Sequence, residues 1–163
     1  MSERTLPAGT FLIIAIAALL PITVSAEEHT TEHAYHEHVL GVFVGAAHED
    51  FGRRENGFVL GVEYEYRLGP RFGIGAIVEH TYGNLDTWVY ALPLAYHSGP
   101  WKLYAAPGIE EAEGGSERIL RLGAEYGFHA GGWEISPQVD VDFIGREGEV
   151  FVLGLTFARG FEF

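Results

Sequence analysis

The 163-residue sequence has no cysteine, one methionine and only 10 Lys plus Arg against 23 Asp plus Glu. Without cysteine there is no thiolate nucleophile, no disulfide scaffold, no cysteine-ligated zinc and no lipidated cysteine of a lipoprotein. A formal net charge of −13 repels polyphosphate and argues against nucleic acid as the main partner. The chain also lacks a run of about 20 apolar residues, the length a membrane-spanning helix needs. Its apolar block FLIIAIAALL, from Phe11 to Leu20, stops at Pro21. Past residue 38 no window keeps an apolar period of 3.6, so amphipathic helices are not the building blocks.

What is present starts with that apolar block. Followed by Val24-Ser25-Ala26, small residues suited to a signal peptidase, it reads as a secretory signal cut before Glu27. Three segments result: a signal peptide over 1–26, a leader over 27–38 and a single domain over 39–163. The domain alternates with period two in blocks of about ten residues. Phe58, Leu60, Val62, Tyr64, Tyr66 and Leu68 share one face of their block, opposite Val59, Gly61, Glu63, Glu65 and Arg67. The same split recurs in 72–79, 88–97, 101–110, 119–129, 133–143 and 150–163, and with 39–47 this makes eight strands. Gly69-Pro70, Ser98-Gly99-Pro100 and Ala130-Gly131-Gly132 are tight turns. His48 to Gly57, His80 to Asp86, Glu111 to Glu117 and Ile144 to Glu149 are longer polar connections.

An even number of strands of about 9 to 11 residues, each able to cross a bilayer when tilted, closes without an unpaired edge in lipid. Aromatics gather near strand ends, with Trp101 and Trp133 after tight turns and Tyr82 and Trp88 at the opposite end. Leu153, Leu155, Phe157, Phe161 and the terminal Phe163 alternate at the end of the chain. On these features residues 39–163 resemble the small eight-stranded outer-membrane β-barrel family, which includes the membrane domain of outer-membrane protein A. The resemblance implies an all-β, antiparallel up-and-down transmembrane barrel in the outer membrane of a Gram-negative cell. It also implies tight turns in the periplasm, longer loops outside, contact with lipid and lipopolysaccharide, a monomer, and recognition of Phe163 by the barrel-assembly machinery. The competing fold is a soluble lipocalin-like cup, with the large apolar side chains inside and the charges outside. Alternation alone does not choose between them.

In the membrane barrel the polar set points inward: Glu63, Glu65, Arg67, Glu79, His97, Lys102, Tyr104, Glu110, Arg121, Glu125, His129, Glu134, Gln138, Asp140, Asp142 and Glu162. Eight strands enclose a lumen that side chains fill, so a conducting pore is not expected. Heights counted from the tight turns put Arg121 beside Glu110, Asp140 and Asp142 as the central cation of the outer half. Glu63, Glu65, Arg67, Lys102, Glu125 and Glu134 lie lower. Nine inward carboxylates against Arg67, Lys102 and Arg121 demand pairing, protonation or bound cations. Recurring inward glycines assign Gly41, Gly45 and the space-filling Phe43 to the lumen in the first strand, leaving Val42 and Val44 to lipid.

The leader holds His29, His33, His36 and His38 among four glutamates. Neutral imidazoles ligate zinc, copper and nickel, so these four are the candidate metal ligands, although no closed-site spacing such as His-Glu-x-x-His is present. A solvated periplasmic tail is the plainer reading. No cofactor is expected beyond such weak divalent metal. Some barrels of the resembled architecture modify lipid A with serine, histidine and carboxylate groups at the outer rim. The candidates here would be His48, His80, Ser116, Glu79 and Glu117, but Ser116 lies in no nucleophile-positioning motif and no enzyme is expected. The expected function is that of a structural envelope barrel with an ion-paired lumen. The alternative is a barrel that binds or transports a cation or small molecule.

Overall fold

The computed structural model describes residues 37–49, 55–145 and 148–162. The expected signal peptide, His29, His33, His36 and the terminal Phe163 lie outside these residues. Ten hydrogen-bonded segments follow one another: β1 (His38–Glu49), β2 (Glu55–Arg67), β3 (Phe72–Gly83), β4 (Thr87–Ala91), β5 (Leu94–Ser98), β6 (Trp101–Ala112), β7 (Gly115–Tyr126), β8 (Phe128–Ala130), β9 (Trp133–Ile144) and β10 (Gly148–Phe161). Every pairing is antiparallel. Because β10 pairs with both β9 and β1, the sheet closes on itself. The result is an all-β, eight-stave barrel.

Two staves are split, and proline splits them. Across β4 and β5 the register does not slip: Ile77 faces Ala91 and Ile74 faces Leu94, so Gly75 faces Pro93 and Leu92 faces Pro107. A proline nitrogen carries no hydrogen, so each of those two pairs keeps one ladder bond instead of two. The bonds that remain run from Gly75 N to the Pro93 carbonyl and from Leu92 N to the Pro107 carbonyl, both 3.0 Å. Pro137 interrupts β7 and β8 in the same way where it faces Tyr126, one residue before Gly127.

The faces sort in the membrane-barrel sense. Arg121 is 1% exposed and Asp140 0%, whereas Leu92 is 66% and Leu153 60% exposed. A soluble cup would show the reverse, so the lipocalin-like alternative is excluded. Leu60, Val62, Leu103, Leu120, Leu122, Val139 and Leu155 form an apolar outer belt. Trp101 and Trp133 lie outward at one end of it and Tyr82 and Trp88 at the other. In β1, Gly41, Phe43 and Ala47 point inward while Val42 and Val44 point out.

The connections differ from the sequence expectation. The four supposedly long loops shrink because the ladders run on through polar residues: Glu49 pairs with Glu55, Thr81 with Thr87, Ala112 with Gly115, and Ile144 with Gly148. Backbone pairing needs no apolar side chain. Hydrophobic alternation therefore marks only the part of a strand that meets lipid, and the polar ends beyond it were mistaken for loop. At the other end the turn through Gly131 and Gly132 has both φ values positive, at 58° and 82°, the mirror-image geometry that follows the twist of a hairpin.

An arginine placed in the belt tests this orientation. Leu122→Arg is expected to lose about 2–4 kcal/mol of folding stability in lipid vesicles, the usual cost of an arginine facing mid-bilayer hydrocarbon. Glu111→Arg, beyond the belt, should stay within about 0.5 kcal/mol. Urea unfolding in vesicles measures both.

Candidate functional site

Glycine seats the large inward side chains. A Cβ on Gly45 or Gly154 would come within 2.5 Å of the Phe43 ring, and one on Gly61 would strike Glu79 Cγ at 2.5 Å. A Cβ on Gly123 would overlap both the Tyr104 ring and Asp140. Phe43, Glu79, Tyr104 and Asp140 thus reach into the lumen over positions that have no side chain.

Arg121 organises a hydrogen-bonded layer across the lumen. Its Nε and Nη2 donate to Asp142 Oδ1 and Oδ2 at 2.7 and 2.8 Å, a bidentate pair between neighbouring strands β7 and β9. Its Nη1 donates to Glu79 Oε2 on β3 at 2.5 Å and lies 3.9 Å from Asp140 Oδ2. A planar guanidinium suits this arrangement because its fixed fork serves two carboxylates at once. Below it the Tyr104 hydroxyl donates to Asp140 Oδ1 at 2.5 Å. The Gln138 amide nitrogen reaches Asp140, Tyr104 and Glu63 at 2.8, 2.9 and 3.1 Å, and the Thr156 hydroxyl donates to Gln138 Oε1.

A second cluster lies toward the tight turns. Lys102 Nζ is 2.6 Å from Glu125 Oε1, 3.6 Å from Glu65 and 3.9 Å from Glu63. Glu65 also accepts from His97 Nε2 at 2.6 Å and lies 3.4 Å from Arg67 Nε. His129 and Glu134 pair at 3.1 Å near the end of the barrel. Carboxylates outnumber cations in this interior. Glu79 Oε1 is buried with no hydrogen-bond partner among the described residues.

Two cavities flank the central layer. One of about 30 Å³ lies among Glu63, Glu65, Lys102, Tyr104 and Glu125. The other, about 220 Å³, opens at the far end between Glu49, Glu110, Glu117, Asp142 and the outer side of Arg121. Neither runs the length of the barrel.

The structure therefore gathers Arg121, Asp140, Asp142 and Glu79 at one place and Lys102, Glu63, Glu65, Arg67 and Glu125 at another. Glu110, expected beside Arg121, lines the outer cavity together with it without forming an ion pair to it. Among the described residues the Arg121 ion pairs go to Glu79, Asp140 and Asp142. Heights counted from turns ignore the stagger of tilted strands, which brings β3 rather than β6 level with the guanidinium.

His38, the one candidate metal ligand among the described residues, is not in the lumen. Its Nδ1 lies 2.7 Å from the Tyr64 hydroxyl, and its ring stacks on Phe161 with centroids 5.6 Å apart. No group of three or more potential metal ligands occurs among the described residues. The catalytic candidates are also dispersed. His48 Nδ1 contacts Asn56 at 2.6 Å, His80 packs outward between Tyr82 and Trp88, Ser116 faces Glu111 across the ladder, and Glu79 is engaged inside.

No protein-family profile matches the chain, and no curated protein matches it in sequence. Similarity appears in the fold. The attachment invasion locus protein Ail of Yersinia pestis aligns with a TM-score of 0.55 at 14% identity, over 77% of this chain and 99% of that one. The N-terminal β-barrel domain of Pseudomonas aeruginosa OprF gives 0.54 at 14%, over 77% and 98%. Neisserial surface protein A gives 0.52 at 12%, over 77% and 97%. The fold is thus that of the small eight-stranded outer-membrane barrels, and at such identities the likeness extends to the fold alone.

Removing the guanidinium strands two buried carboxylates. Arg121→Ala is expected to lower folding stability by about 3–5 kcal/mol, the cost of breaking a buried pair. Arg121→Lys should recover only part, since an ammonium cannot chelate Asp142 while reaching Glu79. Urea midpoints of the two variants in the same vesicles give the comparison.

Proposed function

We propose that this chain is an integral outer-membrane barrel of structural type, sealed along its axis and supporting the envelope rather than conducting through it. The observation that carries this reading is the hydrogen-bonded layer of Glu79, Arg121, Asp142, Tyr104, Gln138 and Asp140 across the lumen, in which Arg121 joins β3 to β9. Ion passage would require breaking a buried bidentate pair and a second charge-assisted bond, at a cost of several kcal/mol. The apolar outer belt with aromatics at both ends supports placement in a bilayer. Its natural surroundings are lipid and lipopolysaccharide, with Phe163 presented to the assembly machinery, residues 1–26 as the export signal, and the barrel as a monomer. The dispersal of His48, His80 and Ser116 supports a non-enzymatic role.

Planar-bilayer recording tests the seal. Purified wild-type protein should give no steady single-channel steps above background. Reproducible open-channel current in the wild type would overturn the reading.

A further inference from the structure

The wall is not equally strong around its circumference. Between β3 and β6, at the junction of β4 and β5, two adjacent ladder pairs lack their second bond because Pro93 faces Gly75 and Pro107 faces Leu92. The Gly75 and Leu92 carbonyls are the acceptors those bonds would have used. Leu92 is the sixth residue of its stave from the outer end, as Val139 and Leu153 are of theirs, which places the defect within the apolar belt. Water is not there to replace a missing donor.

A second feature coincides with this defect. The inward side chains beside the junction are largely apolar, with Ile77, Val89, Ala91, Ala95, Ala106 and Ile119 in one buried cluster with Tyr104, while the small cavity that Gly75, Pro93 and Ala95 line also holds Lys102, Glu63, Glu65 and Glu125. The charged side chains of the lumen lie mainly on β2, β7 and β9. Parting the staves near Pro93 would bring Ala91, Ala95 and Ala106 against hydrocarbon. Parting β7 from β9 would expose the Arg121–Asp142 pair. The two openings differ by the cost of bringing a buried ion pair into lipid, so parting at the defect costs less than parting β7 from β9.

We infer that the barrel, closed along its axis, parts laterally at this seam: the β4–β5 stave separates locally from β3 and β6 while the other ladders stay closed. The outer face there is apolar, and the side chains of the stave that line the gap are Ala91, Pro93 and Ala95, so what such an opening meets is hydrocarbon. The inference rests on the membrane reading above, but it fails independently of the axial seal, which is read by conductance.

Amide hydrogen exchange of the full mature chain in lipid nanodiscs, resolved by NMR, tests it. The Gly75 and Leu92 amides should exchange at least about tenfold faster than those of Val139 and Leu153 at matching positions, the signature of local rather than global opening. Pro107→Val restores an N–H facing the Leu92 carbonyl and should slow Leu92 to the rate of Val139. Pro93→Ala should do the same for Gly75, giving a second reading if one variant fails to assemble. Equal protection at the four wild-type amides overturns the seam. So does fast exchange that persists after the missing donor is restored.

Discussion

In hydrocarbon a backbone N–H or C=O has no water to turn to, so each must find its partner in the neighbouring strand. The closed ladder, the even number of staves and the short turns follow from that requirement. β10 joins β1 over twelve residue pairs from His38 with Phe161 to Glu49 with Val150, and no edge remains. The same requirement explains why the prolines matter: in a soluble sheet water could satisfy the carbonyls opposite them, and here it cannot.

Closure fixes the interior as well. Eight staves leave room for side chains and little else, so the barrel is stabilised by what fills it. This one is filled by ions as much as by hydrocarbon. Lumen charges are costly to bury, and the structure offsets the cost with geometry: Arg121 serves three carboxylates, Lys102 serves three more, and Gln138, Tyr104 and Thr156 supply neutral hydrogen bonds between them. The apolar share of the lumen lies in two clusters, one of Ile77, Val89, Ala91, Ala95, Tyr104, Ala106 and Ile119 and one of Phe43, Ala47, Val59, Val150 and Val152. Strength along the axis comes from the paired charges, and weakness in the wall from the two ladder bonds that Pro93 and Pro107 cannot make.

Much of this was legible from residue order. Strict alternation assigned nearly every side chain to its face, including Phe43 and the glycines beside it, because a strand has only two faces. Loop ends were not legible: residues 111–112 and 115–117 look like loop by polarity, yet they pair as strand because the ladder uses backbone atoms alone. Nor could Glu79 be named as the partner of Arg121, since that contact depends on stagger across three staves rather than on adjacent strands. The seam could have been found. Pro93 and Pro107 fall inside recognisable strands, and a proline inside a strand announces a missing donor, but only the register shows that the two defects sit side by side.

The glycine seats bear on how such a chain drifts over time. On the lipid face one apolar residue substitutes for another with little effect, so identity there erodes freely. Inside, Gly123 can change only if Tyr104 and Asp140 change with it, and Gly45 and Gly154 only if Phe43 does. Interior positions are therefore coupled in sets, and a change at one demands a change at the side chain seated on it.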